Sequence, residues 1–185
     1  MNRVVLLVRA IAVVAGAAAI YWFCILPVRC AHTIRIVETS TQQAFDHMPE
    51  WLAARTARRN LQLIQSVDSR ACCDVDYPLL LAANATLLGR RDEAVQHLDE
   101  ALRLDNRPEV YFNRGSALLA LGRIDEAVRD FAIAVDFDSG LLTEIDGNLR
   151  DRVAKVVVDK AAERERARTS RRPHGEKAAA PTENN

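Results

Sequence analysis

Apolar residues return every three or four positions through most of the chain, which predicts helices with one buried side. Between Ala31 and Met48 the stripe is Ile34, Val37, Thr41, Ala44, Phe45 and Met48. Pro49, suited to the first turn of a helix, opens a second stretch. Here Trp51, Ala54, Ala57, Leu61, Ile64 and Val67 share one side, and Arg55, Arg58 and Arg59 take much of the rest as a solvated face. DSRACCDVD, residues 68–76, reads as a loop. Toward the end Ile145, Leu149, Val153 and Val157 stand four apart, with Gly147 breaking the stripe from a short preceding turn. This predicts a terminal helix that covers an apolar face. RRPHGEKAAAPTENN, residues 171–185, has no period and predicts a disordered tail.

The beginning of the chain departs from this periodicity. AIAVVAGAAAIYWFCILPV, Ala10 to Val28, carries no charge over 19 residues. As one helix it would rise about 28 Å, close to the hydrocarbon thickness of a bilayer. It predicts a transmembrane anchor, with Tyr21, Trp22 and Phe23 as an interfacial belt and Arg29 beyond it. A cleaved signal peptide is the rival reading, but the apolar run continues past the small residues Ala17 to Ala19, where a cleavage region should turn polar. Arg3, Arg9 and the amino terminus precede the span and Arg29 and Arg35 follow it, which favours a cytoplasmic N-terminus. The expected placement is a single-pass inner-membrane protein with its soluble domain on the periplasmic side.

One phrase is written twice. LGRRDEAVQHLDEALRLD, Leu88 to Asp105, and LGRIDEAVRDFAIAVDFD, Leu121 to Asp138, set Gly89 and Gly122 33 residues apart, with aspartate, glutamate and alanine at equal offsets. Each copy predicts a helical hairpin. Its first helix ends at a glycine that turns through the left-handed region at no side-chain cost. Asp92 or Asp125 is placed to cap the next helix, and Glu93 or Glu126 suits its first turn. The second helix gathers Ala94, Leu98, Ala101 and Leu102, or Ala127, Phe131, Ala134 and Val135, on one face. Alanine at such crossings lets two helix axes approach.

These residues resemble the tetratricopeptide repeat family, whose period is about 34 residues. Its aromatic and small positions are met in the second copy by Tyr111, Gly115, Gly122, Ala127, Phe131 and Ala134, with Ser139 in place of a final proline. The first copy reads Pro78, Ala82, Gly89, Ala94, Leu98 and Ala101, and Pro108 opens the first helix of the second. The likeness covers Val75 to Ser139. It implies an all-α fold: the N-terminal transmembrane helix, then a short solenoid of tetratricopeptide-type hairpins with flanking capping helices. The expected division is 1–9, a short N-terminal segment; 10–28, the anchor; 29–74, juxtamembrane and capping helices; 75–139, two repeats; 140–168, a C-terminal capping helix; and 169–185, the tail.

The resemblance also implies a groove on the first helix of each hairpin that binds a partner protein. The positions that would face it are Asp76, Leu79, Ala83 and Thr86, then Glu109, Phe112, Ser116 and Leu119. Asn113 stands where relatives that clamp a terminal carboxylate hold asparagine, but Leu79 and Ala83 replace the companions such a clamp needs. The groove is mostly apolar with an acidic rim, suited to a segment with apolar anchors and a basic residue.

Composition narrows the remaining chemistry. The formal net charge is +0, so no global field draws the chain toward nucleic acid, and no nucleic-acid partner is expected. Aromatics make up only 5% of the residues, which suits alanine-lined helices better than a β-sandwich. Four cysteines, with no CxxC spacing, and four scattered histidines support neither a metal site nor a redox motif. In an oxidising compartment Cys72 or Cys73 could join Cys30; the plain alternative is free thiols. No nucleophile, base and orienter group together, so no catalytic residue and no cofactor are expected.

The chain therefore reads as a non-enzymatic scaffold, an accessory subunit of a bacterial envelope complex for polysaccharide export, secretion or pilus assembly. It would contact the bilayer through 10–28, and self-association is open to it. Two other readings stand beside this one. The first is a regulatory membrane protein whose basic tail binds lipid or nucleic acid, and the second is a thiol-dependent factor using Cys72 and Cys73.

Overall fold

A computed structural model describes residues 3–67 and 75–170, and among these every regular element is helical. In chain order they are α1 (Arg3–Ile20), a π-helical turn (Tyr21–Ile25), α2 (Leu26–His47), α3 (Glu50–Gln65), α4 (Asp76–Leu87), α5 (Arg91–Leu104), α6 (Pro108–Ala120), α7 (Ile124–Phe137), a 3-10 turn (Ser139–Glu144) and α8 (Gly147–Ser170). The expected loop with Cys72 and Cys73, and the expected tail beyond Ser170, lie outside the described residues.

The two written copies fold alike. α4 and α6 end in the same reverse turn, with Gly89 at φ 71° and Gly122 at φ 76°. The Gly89 N–H donates to the Thr86 carbonyl and the Arg90 N–H to that of Ala85, both at 2.9 Å; Gly122 and Arg123 repeat the pair with Leu119 and Leu118. The last turn of each helix is thus closed before the chain reverses. The following helix starts at once, at Arg91 or Ile124, and no side chain caps it. Asp92 and Asp125, expected as caps, instead lie within the first turn, where their charge favours the unpaired amides of the helix end.

Small residues set the spacing of the stack. Ala82, Ala85, Ala94, Ala101, Ala117, Ala127 and Ala132 are all buried in one cluster with Leu98, Val110, Leu118, Phe131 and Val135. A β-carbon at Gly115 would lie 2.9 Å from Cδ1 and Cε1 of Phe131, so α6 approaches α7 as closely as a missing side chain allows. The Phe112 ring meets Phe131 obliquely, centroids 5.3 Å apart.

At the C-terminal side Ile145, Leu149 and Val153 are buried, and Val157 packs on the same cluster. Arg152 pairs with Asp125 at 2.8 Å and Arg164 with Asp136 at 2.7 Å, contacts of similar sequence offset, so α8 runs parallel to α7. The 3-10 turn makes this possible by carrying the chain back. Its carbonyls at Leu142 and Thr143, and that of Ile145, accept hydrogen bonds from Arg150.

At the other side α2 and α3, joined at Met48 and Pro49, form an antiparallel hairpin of their own. Val37, Leu61, Ile64, Leu80 and Leu81 make its apolar seam with α4. Beside that seam lies a buried polar knot. Asn60 Nδ2 donates to Thr41 Oγ1 and Asn84 Oδ1, each at 3.1 Å, while Asn84 Nδ2 donates to Thr41 Oγ1 at 3.0 Å and the Leu80 carbonyl at 2.8 Å. Ser40 adds a hydrogen bond to Asn60 Oδ1 at 2.8 Å. The buried stripe of α3 therefore runs through Ala53, Ala57, Asn60, Leu61 and Ile64. Trp51, expected inside, is 69% exposed, because it sits about 200° around the helix from Ala53.

The expected transmembrane anchor over 10–28 is overturned: among the described residues no helix is long and apolar enough to cross a membrane. With it go the membrane-anchored form of the fold, the single-pass inner-membrane placement and the bilayer contact. The apolar run does not form one regular helix. α1 stops at Ile20, a π-helical turn intervenes, and Leu26 to Val28 begin α2. Leu26 and Cys30 of α2 are buried, and that helix continues into the charged and polar sequence through His47. A π-helical turn interrupts the regular hydrogen-bond ladder.

Gly115→Ala is expected to destabilise the fold by about 1–3 kcal/mol through overpacking, and Gly115→Ala with Phe131→Leu by less than the two single changes together; urea denaturation measures both. Asn84→Ala should cost about 1–3 kcal/mol, because one buried N–H of the Asn60 amide loses its acceptor and Thr41 Oγ1 loses a donor. The double change Asn60→Leu, Asn84→Leu should cost less than the sum of its singles in the same assay.

Candidate functional site

The first helices of the successive hairpins, α2, α4 and α6, line one depression of about 680 Å³. Their relative directions are fixed by contacts already within the fold. Thr41 bonds to Asn84, and Val37, one turn earlier on α2, shares an apolar cluster with Leu80 and Leu81, one turn earlier on α4, so the two helices lie side by side in the same direction. Arg107, one residue before α6, pairs with Asp76 at the start of α4 at 3.3 Å, so α4 and α6 begin at the same end.

Ala82, Ala83, Ala117 and Ala120 floor the depression. Ala82 and Ala117 are buried where the helices pack, and the short side chains of all four leave room above the floor. α2 forms the wall with Glu38, Thr41, Gln42 and Phe45, and Phe45 is 50% exposed although it lies beside buried Ala44. Leu79, Leu80 and Thr86 of α4 and Glu109, Asn113 and Ser116 of α6 complete the lining, with Arg91 and Leu98 reaching in from α5.

Six of the residues expected to face a partner thus come together: Leu79, Ala83, Thr86, Glu109, Asn113 and Ser116. Three do not line the depression. Asp76 is engaged with Arg107. Phe112 turns against Phe131, and Leu119 packs on the same core. The wall contributed by α2, and Arg91, were not expected from the sequence. The signal for Phe45 was present, since Ala44 and Phe45 were both placed in one narrow stripe and only one can sit at its centre.

Behind the α6 wall a charged clamp holds the helix in place. Arg114 donates to both oxygens of Asp130 at 2.7 and 2.8 Å, and to Asp99 at 2.6 Å, joining α6 to α7 and α5. Hydrogen bonding to Asp130, then to Asp99, raises the guanidinium above its usual range despite its partial burial. The guanidinium also lies over the Tyr111 ring, 5.8 Å from its centroid. Asp130 is nearly fully buried, so this pair is shielded from the salt screening that weakens surface pairs.

Among the described residues no group of histidine, cysteine, aspartate or glutamate is placed to hold a metal ion. Cys24 is an exposed free thiol and Cys30 is disulfide-bonded. Cys72 and Cys73 lie outside the described residues.

Residues 108–139, the second written copy, match the tetratricopeptide repeat family model. With the all-helical structure, this match supports a tetratricopeptide repeat protein. No curated protein and no solved structure matches the chain.

Asp130→Ala should lower stability by about 1–3 kcal/mol, because Arg114 keeps Asp99 but loses its better-buried partner. Arg114→Met combined with Asp130→Leu should recover part of that loss, since an uncompensated charge no longer remains. Thermal unfolding of the parent and the two variants measures this order.

Proposed function

We propose that the chain is a scaffold or adaptor that holds a segment of a partner protein in the groove between α2, α4 and α6. The observation that supports it is the division of labour within the hairpins. Their second helices and the alanine crossings carry packing, while their first helices jointly line one depression. The tetratricopeptide match supports a protein–protein interaction role, and domains of that family are generally non-catalytic interaction modules. A groove with an alanine floor, one exposed aromatic and few charges suits an extended or helical segment with apolar anchors.

Assignment to an envelope complex depended on the anchor over 10–28 and does not survive its loss. The reading concerns the groove alone, and an activity based on Cys72 and Cys73 has no described site to support it.

Ser116→Trp and Thr86→Trp, both at exposed groove positions, should abolish capture of a cross-linked partner from cells expressing the full chain. Arg58→Ala on the outer face of α3 should leave capture intact, and all three proteins should melt within a few degrees of the parent. Capture that persists in both tryptophan variants but fails in the α3 variant would place the binding surface elsewhere.

A further inference from the structure

We infer that the groove is read by charge from end to end, and takes a partner segment carrying a lysine or arginine, an apolar centre and an acidic residue roughly two helical turns from the basic one. This inference rests on the groove being the binding site.

The groove has two chemically different ends. The start of α6 contributes Glu109, its second residue. On the facing wall Glu38 lies one turn before Thr41, the residue that fixes α2 against α4. At the opposite end α4 closes at Leu87, the chain reverses at Gly89, and Arg91 opens α5 and reaches into the depression. Phe45 lies on that side of Thr41, seven residues beyond Glu38, an axial rise of about 10 Å. Acid therefore stands toward one end, and a guanidinium with an aromatic edge toward the other.

The charges facing the depression are Glu38 from α2, Glu109 from α6 and Arg91 from α5; α4 contributes none. Glu109 is already close to Arg107, at 3.6 Å. Glu38 and Arg91 make no ion pair among the described residues, which leaves one acidic and one basic group facing the same cavity from opposite ends. Between them the lining is Leu79, the alanine floor and Phe45, a surface for apolar side chains. A segment with a basic residue alone would satisfy Glu38 and leave Arg91 facing apolar contacts. A segment with both charges pairs each end, and the complementary fields favour that arrangement over a wrong partner.

The test is selection of peptides from a displayed random library on the full-length chain. Ala83→Trp and, independently, Thr86→Trp serve as groove-blocked controls, with circular dichroism to confirm helicity. Peptides that depend on an open groove should carry a basic and an acidic residue separated by about five to seven positions. Their affinities, measured by fluorescence anisotropy, should fall about three- to tenfold on Arg91→Glu and on Glu38→Lys, as expected for partly exposed pairs. Selection on Arg91→Glu should exchange the acidic residue for a second basic one. Groove-dependent peptides without that charge pattern, or with unchanged affinity for Arg91→Glu, would overturn the charge reading and leave the groove standing. Peptides that bind equally well to both blocked variants, or no enrichment at all, would remove the groove reading and this inference with it.

Discussion

The close approach of helices across alanine and glycine is the constraint from which the rest of the architecture follows. Where Ala94, Ala101, Ala127 and Ala132 are fully buried, no side chain holds neighbouring axes apart. The hairpins can then stack with first helices on one side and second helices on the other. Ala82 of α4 and Ala117 of α6, buried in the same core, also line the space that becomes the groove, so packing and recognition have one physical origin. A leucine at Ala117 would at once crowd the core and fill the cavity floor.

The stack uses different means at its two ends. Between α2, α3 and α4 the interior is partly polar, and Thr41, Asn60 and Asn84 satisfy one another there. Polar groups withdrawn from water without partners are costly, and this geometry leaves no buried side-chain donor or acceptor unsatisfied among the described residues. An apolar seam tolerates sliding more readily than a knot whose hydrogen bonds fit one register. Such a knot is suited to fixing the α2 wall, which is the part of the groove lying outside the written repeats. At the other end α8 covers α7 with Leu149 and Val153, and charged residues take its outer side.

Much of this was legible in the sequence because its signals are local. Gly89 and Gly122 announced the turns, the alanines announced the crossings, and Ile145, Leu149 and Val153 announced a covering helix. The polar knot was not legible, since periodicity assigns asparagine outward and its partners lie 19 to 43 residues away. The anchor was misjudged because counting apolar residues assumes one regular helix, and hydropathy carries no sign of the π-helical turn after Ile20. Of the groove, the faces of α4 and α6 could be placed by family likeness. The wall from α2 depended on knowing which helix lies beside Thr41, a tertiary fact.

The pairing of Gly115 with Phe131 has a further consequence when set beside its counterpart in the other copy. There Ala82 stands where Gly115 does, and Leu98 where Phe131 does. If α6 were exchanged for α4, the extra methyl of Ala82 would collide with the ring; if α7 were exchanged for α5, Leu98 would leave the space over Gly115 unfilled. Two hairpins with nearly identical sentences are thus made non-interchangeable by one carbon on one side and a ring on the other. During folding, when similar helices of the same chain compete for one another, that mismatch penalises the crossed pairings and leaves each first helix with its own second.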